Sequence, residues 1–282
     1  MTDSSESLAV RFENVSFRYS EQSEWIIKDI NFSITSGEWV TIVGGNGSGK
    51  STLIKIMNGL LKPSLGRVYV LGENIEMENL LKIRKCVGVI FQNPDEQIVG
   101  ITVEEDIAFG LQNLMFQRNE IISRVDHVMS LLKLEEFRNR PVRTLSGGQK
   151  QLVAIAGILV MHPKIIVFDE AASMLDPQNT ANLHSLMSDL HRKGFTVIQV
   201  THDPEDILRA DRVLVLNQGR LAFEGDVPTL MKQSEILEDA HTLPPFVVRF
   251  KKALYRRGIE LSGGCKSEKE LAKSIWEYIS VM

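Results

Sequence analysis

Gly44-Gly45-Asn46-Gly47-Ser48-Gly49-Lys50-Ser51-Thr52 fits the pattern G-x-x-x-x-G-K-[ST] and follows the apolar run Trp39 to Val43, which reads as a buried strand. Glycines let successive backbone N–H groups turn inward as an anion-binding nest, and a helix starting at Lys50 points its positive N-terminus at the same place. The stretch therefore reads as a phosphate-binding loop, with Gly44, Asn46, Gly47, Gly49, Lys50, Ser51 and Thr52 as its nucleotide-contacting residues. Lys50 is placed to reach the β- and γ-phosphates, and the Ser51 hydroxyl to ligate Mg²⁺. The bland alternative is a glycine-rich turn before a helix.

Around this loop the chain sorts into strands and helices by period. Upstream, Leu8 to Phe12, Val15 to Tyr19 and Ile30 to Ile34 alternate like half-buried strands. Tyr19 ends one of them, where its ring could stack on an adenine or be an ordinary edge-strand tyrosine. Downstream, the helix from Lys50 to Asn58 stops at Gly59, and strands follow at Arg67 to Leu71 and Val87 to Phe91. The second strand delivers Gln92, which could sense Mg²⁺ or the attacking water, or be a loop residue with no catalytic part.

From Thr102 the pattern turns helical, with a capping box at Thr102 to Glu105 and apolar spacing from Asn119 to Leu132. Leu145-Ser146-Gly147-Gly148-Gln149 then leads into an apolar helix from Lys150 to Val160, so a hydroxyl and two glycines at a helix start form a second anion-binding surface. Ile165-Ile166-Val167-Phe168 runs into Asp169-Glu170, as a central parallel strand should, with its chemistry at the carboxyl end. Asp169 is placed to hold Mg²⁺ through its water shell, and Glu170 to orient or deprotonate a water attacking the γ-phosphate. Two acidic residues capping the next helix would be the simpler reading.

Asp176-Pro177 opens an amphipathic helix with Leu183, Leu186, Met187 and Leu190 on one face, and Thr196 to Val200 is another buried strand. His202 follows it directly. A lone histidine is more often structural, but its place beyond a central strand puts it on the side of the other candidate groups. Asn217-Gln218-Gly219-Arg220 marks a hairpin between Arg212 to Leu216 and Leu221 to Glu224. A polar stretch and Pro244-Pro245 then separate a last helical region. The expected division is a nucleotide-binding body at 1–231, with a helical insertion at about 100–146, and a C-terminal domain at 232–282 that contacts a second cassette. A second Leu-Ser-Gly-Gly, at Leu261 to Gly264, precedes Cys265 instead of Gln and reads as a chance loop.

Bulk properties bound the function. The chain has 282 residues, 43% of them hydrophobic, enough to bury a large core. Its formal charge of -4 disfavours nucleic acid as a partner. Cys86 and Cys265 are too few and too far apart for a disulfide framework or a zinc site. No apolar run reaches the roughly 18 residues of a membrane span, and the polar Met1 to Ser7 does not resemble a secretory signal. The expected location is the cytosol.

Taken in order, the phosphate loop, Gln92, Leu145 to Gln149, Asp169-Glu170, Ser173-Met174-Leu175-Asp176 and His202 resemble the ATP-binding-cassette ATPases over roughly residues 8 to 230. The fold implied is α/β, a P-loop NTPase with an antiparallel β subdomain and a helical subdomain. The resemblance also implies a head-to-tail dimer in which Ser146, Gly147, Gly148 and Gln149 of one chain close over ATP and Mg²⁺ held by the other. It gives Tyr19 to adenine stacking, Gln92 to coupling with a partner, Asp176 to communication across the dimer and His202 to a γ-phosphate contact. Catalysis falls to Glu170, His202, Gln92 and Lys50, and the metal to Ser51, Gln92 and Asp169.

Within that family, Phe91-Gln92-Asn93-Pro94-Asp95-Glu96-Gln97 with Val99-Gly100, and the extension bearing Pro244-Pro245, look like the ATPase subunits of energy-coupling-factor importers of B vitamins or of cobalt and nickel. Ser173 to Asp176 looks like the first of their two related ATPases. Such a chain implies a second cassette, an integral membrane coupling subunit and a substrate-capturing membrane subunit, at the cytoplasmic face of the membrane. Two residues depart from the common pattern, Leu152 where many relatives carry Arg and Ala172 where many carry Thr or Ser. The rival readings are a soluble cassette ATPase acting on nucleic acid or ribosomes, and a subunit of another transporter class.

Overall fold

The computed structural model describes residues 7–259, 261 and 268–281. Its strands are β1 (Leu8–Phe17), β2 (Ile27–Thr35), β3 (Trp39–Val43), β4 (Leu65–Val70), β5 (Glu73–Asn74), β6 (Val87–Ile90), β7 (Ile165–Asp169), β8 (Thr196–Val200), β9 (Arg212–Asn217) and β10 (Arg220–Asp226). The helices are α1 (Lys50–Met57), α2 (Leu80–Cys86), α3 (Val103–Asn113), α4 (Arg118–Leu132), α5 (Gly147–Leu159), α6 (Pro177–Arg192), α7 (Val227–Lys232), α8 (Glu235–Asp239), α9 (Phe246–Tyr255) and α10 (Glu268–Val281).

Two sheets result. The first is antiparallel in the order β2-β1-β4-β5, and the second runs β10-β9-β3-β8-β7-β6, parallel except for the β9–β10 hairpin. Every residue of β3, β6, β7 and β8 is buried, because both faces of the second sheet are covered. In β7, Ile165 and Val167 face a core shared with α1 and the antiparallel sheet, while Ile166 and Phe168 face one shared with α3 to α6. Period-two alternation thus survives inside a strand that reads as uniformly apolar.

The expected α/β architecture, with an antiparallel sheet and a helical insertion, is the one observed, and several element ends differ in instructive ways. Leu8 to Phe12 and Val15 to Phe17 form one strand, bent at Asn14, whose φ is +49°; it ends at Phe17, so Tyr19 lies beyond it in a bend. The second anion-binding helix begins at Gly147, not Lys150: Ser146 accepts the Gln149 N–H and the Gln149 side chain returns the bond to the Ser146 N–H, a reciprocal cap that extends the helix over both glycines. The Thr102 to Glu105 capping box and the hairpin at Asn217 to Arg220 form as read.

The chain beyond β10 does not leave the body at once. Leu230, Leu237 and Ala240 pack against Val43, Val213 and Val215 of the parallel sheet. Only then do α9 and α10 build a small core of their own around Val247, Leu261 and Leu271. The second Leu-Ser-Gly-Gly lies, past Leu261, outside the described residues.

Candidate nucleotide site

Parallel strands end on one side of their sheet, so the loops leaving β3, β7 and β8 converge. The loop after β3 is Gly44 to Gly49. A side chain at Gly44, with φ at +153°, would stand 2.2 Å from the Leu216 carbonyl oxygen, and one at Gly49, with φ at +106°, would stand 2.6 Å from Ile27 Cδ1. Those two positions therefore admit only glycine. The Gly219 N–H donates to the Ser48 carbonyl and the Gly45 N–H to the Ala240 carbonyl at 2.7 Å, so the loop is braced from behind by the hairpin and by the segment after α8.

Lys50 begins α1 and is 6% exposed. Its Nζ donates to the carbonyls of Gly44 at 2.7 Å and Gly45 at 3.0 Å, which leaves one of its three protons to point elsewhere. Burial pushes the Lys50 ammonium below its ordinary pKa, and the charges of Glu170 and Asp169 partly restore it.

Asp169 ends β7 and is 8% exposed. Burial first, and then the charge of Glu170, raise its carboxyl to a pKa of about 6, against the opposing pull of Lys50. Glu170 has a φ of +53°, and its N–H donates to the Val200 carbonyl at 2.9 Å, tying β7 to the end of β8. This left-handed turn aims the side chain across the sheet end, where Oε1 lies 2.6 Å from His202 Nε2.

Asn46, Gly47, Ser48, Gly49, Lys50, Ser51, Thr52, Glu170 and His202 together line a pocket of about 180 Å³. Gly47 faces open space, and the Ser48 hydroxyl is buried without a hydrogen-bond partner among the described residues. A cradle of N–H groups, an orphaned hydroxyl and an ammonium fit a polyphosphate. Two adjacent carboxylates against one ammonium leave the site short of positive charge, which fits a divalent cation held by oxygen donors. Among the described residues no group of three or more His, Cys, Asp or Glu forms a metal cage. Ser51 lines the pocket and Asp169 stands near Lys50, oxygen donors that suit an ion keeping its water and nucleotide ligands.

Other expected site residues stand apart from this pocket. Tyr19 is 62% exposed, with its ring edge-on to Phe17 at 5.0 Å. Gln92 is exposed just beyond β6, in a loop held by its neighbours: Gln97 bonds both Val89 and Phe91, and the buried Gln151 bonds the Phe91 carbonyl. Ser146 and Gly147 are exposed at the start of α5, and Gly148 lies beside Leu175 and Asn179. Asp176 caps α6, and the Asn179 N–H and side-chain amide hold its carboxyl below the usual range. The chain thus presents a phosphate pocket and, separately, a helix start whose neighbours are Asp176, reached through Asn179, and the Lys150–Asp95 ion pair.

The profile of the family described as ABC transporter matches residues 27–173. The chain is 42% identical over 269 residues to the energy-coupling factor transporter ATP-binding protein EcfA1 of Halalkalibacterium halodurans, covering 95% of this chain and 97% of that one. The chain belongs to the ABC transporter family. EcfA1 of Oceanobacillus iheyensis is 40% identical over 274 residues, 97% of this ABC protein and 98% of its own length. Among solved structures, cbiO1 from Clostridium perfringens, described as part of the ABC transporter complex cbiONQ, aligns with a TM-score of 0.75 and 33% identity over 90% of this chain and all of its own. The dimeric cassette MJ0796, in a post-hydrolysis state bound to ADP and Pi, aligns with a TM-score of 0.70 and 31% identity over 77% of this chain and 98% of that one. This ABC chain has no helix, among the described residues, long and apolar enough to cross a membrane.

Three features of the site were not legible in the sequence of this ABC protein: the Gly45–Ala240 bond, the Gln97 clamp and the burial of Thr201 and Asp206 beneath His202. Each joins residues with no shared local pattern.

The raised carboxyl of Asp169 carries a stability consequence. Its ionised form is penalised in the folded state, so the penalty is absent below pH 4, grows as pH rises and is complete above about pH 6. Asp169→Asn is expected to stabilise the nucleotide-free chain at pH 7 by about 2–3 kcal/mol, the scale of a two-unit shift, with the gain gone below pH 4. Urea unfolding at pH 7 and pH 4 measures it, and equal stability of the two proteins at pH 7 would contradict the charge balance. The same variant should lose Mg²⁺-dependent ATP binding.

Proposed function

We propose that this chain is the ATP-binding and ATP-hydrolysing subunit that energises a membrane importer of the energy-coupling-factor type, carrying vitamins or transition-metal ions. The observation that carries the reading is the placement of Glu170 and His202, 2.6 Å apart, on the wall of the pocket that also holds Lys50. General-base chemistry and phosphate binding are thus combined on one chain. The near full-length likeness to EcfA1 supports the importer assignment within the family.

The chemistry follows from the residues present. The loop N–H groups and Lys50 bind and orient the triphosphate, and Ser51, Asp169 and Gln92 would hold Mg²⁺, which supplies charge neutralisation on the β- and γ-oxygens. Glu170 takes the proton of a water aligned with the γ-phosphorus. His202 fixes the Glu170 carboxylate and contacts the γ-phosphate. Ser146 to Gln149, remote from this pocket, serve the ATP of a second cassette by closing over it and excluding water. Asp176 lies beside that surface and reports closure between chains. Closure on binding and opening after hydrolysis drive the membrane subunits from the cytoplasmic face.

Tyr19, exposed beside the antiparallel sheet, stacks on the adenine. Tyr19→Ala is expected to weaken ATP binding by about 1–3 kcal/mol and leave inorganic triphosphate binding unchanged. Calorimetric titration with both ligands checks this, and equal losses would remove the ring from the base.

A tagged pull-down of the full chain from native membranes in mild detergent tests the assignment. It should recover a polytopic coupling protein, a small substrate-capturing membrane protein and a second cassette ATPase. Recovery of only ribosomes or DNA-associated proteins would overturn the transport reading.

A further inference from the structure

His202 works only if its imidazole stays within reach of Glu170, yet its side chain is 44% exposed and it sits on a short loop between β8 and the turn of 3-10 helix at Pro204–Arg209. The loop is held from beneath. Thr201, 7% exposed, donates its hydroxyl to Asp206 Oδ2 at 2.7 Å and accepts the Asp203 N–H at 3.0 Å, so one hydroxyl secures the residues on both sides of His202.

Asp206 is 1% exposed, and a carboxylate that deep needs a positive partner. Arg209 Nε is 3.9 Å away, beyond hydrogen-bond reach. The close partner is His184, whose Nε2 lies 2.9 Å from Asp206 Oδ1, near enough for an ion pair though not aligned as a hydrogen bond. His184 projects from the inward face of α6, about two turns after the Asp176 cap. A cavity of about 320 Å³ separates this pair from Glu170, and Glu170, His202, Thr201, His184 and Asp206 all line it. With open space on that side, packing alone does not fix the loop.

We infer that Asp206 and His184 are positioning residues for His202: they fasten the Thr201–Asp203 loop to α6, so the helix that begins at Asp176 sets where the imidazole meets Glu170. The inference rests on the proposed ATPase reading. It makes α6 a rigid link between the surface facing the second cassette and the group that fixes the base. Neither residue touches nucleotide, so their removal should leave binding intact and misplace His202.

The test is steady-state ATP hydrolysis by the full chain assembled with the cassette that co-purifies with it. His184→Leu, which fills similar volume and leaves Asp206 unpaired, is expected to lower kcat about 10-fold or more with KM for MgATP within about 2-fold. His184→Gln, whose neutral amide offers Asp206 a polar partner from the same position on α6, should recover part of the loss. On a His202→Ala background, His184→Leu should cost less than about 2-fold of the residual rate, because the position it controls no longer matters. Thr201→Val, with Thr201→Ser as its rescue, provides the same readout if His184→Leu does not fold. Unchanged kcat in His184→Leu, or equal losses with and without His202, would reduce the pair to a structural role and overturn the inference while leaving the ATPase reading intact. Absence of hydrolysis by the unaltered assembly would overturn both.

Discussion

Glu170→Gln is expected to bind ATP with nearly unaltered affinity and to lose about 10²- to 10⁴-fold in turnover, the usual contribution of a positioned general base. Two features of the site fix this asymmetry. Glu170 has no part in the phosphate nest, so binding through Lys50 and the loop N–H groups survives. The amide keeps the volume of the carboxylate and a contact to His202 but cannot accept the proton of the attacking water. The variant should therefore accumulate an ATP-bound closed dimer, visible as a doubled mass on size exclusion in ATP and not in ADP. Steady-state hydrolysis near the wild-type rate, from an assembly in which every cassette carries the change, would remove Glu170 from the chemistry.

Lys50→Ala acts on the earlier step. It takes away the Lys50 ammonium that lines the pocket and leaves the Gly44 and Gly45 carbonyls without the bonds that Lys50 supplies. Truncating one partner of a buried, charge-assisted contact costs about 2–5 kcal/mol, so ATP and ADP affinity should both fall by roughly 30-fold to a few thousand-fold. Hydrolysis falls with them, through binding as well as through the lost charge on the γ-phosphate. Calorimetry with ATP and ADP on the full chain separates the two variants. Unchanged ATP affinity in Lys50→Ala would contradict the proposed pose of the triphosphate.

The two variants together distinguish a phosphate cradle from a hydrolytic site, which the chain joins in one pocket by bringing the ends of β3, β7 and β8 together. Glu170 and Lys50 are separated by nearly half the chain, yet β3 and β7 both pair with β8, and that adjacency makes the chemistry possible.

Much of this was legible before any coordinates. The phosphate loop is readable because its function demands glycine at fixed spacing, and the close approaches at Gly44 and Gly49 show why. Asp169 and Glu170 are readable because a fully buried parallel strand is a continuous apolar run and its polar end is conspicuous. Caps at Thr102 and Asp176 are readable because side chain and backbone meet within four residues, whereas the Ser146 cap, equally local, is missed when the helix is started at the apolar run from Lys150. All of these are local, and local geometry follows from local sequence.

What tertiary structure alone decided is the set of contacts between segments distant in sequence. Nothing near Gly45 announces that Ala240 will accept its N–H, and nothing near His184 announces that Asp206 will lie against it. The left-handed turn at Glu170, held by the Val200 carbonyl, is likewise a product of sheet pairing. A buried N–H, carboxylate or imidazole must find a partner wherever the packed core offers one, and which partner it finds depends on strand order. The sequence by itself determined the type of chemistry and the residues able to perform it, whereas the packed sheet decided which of them share a pocket and what holds them there.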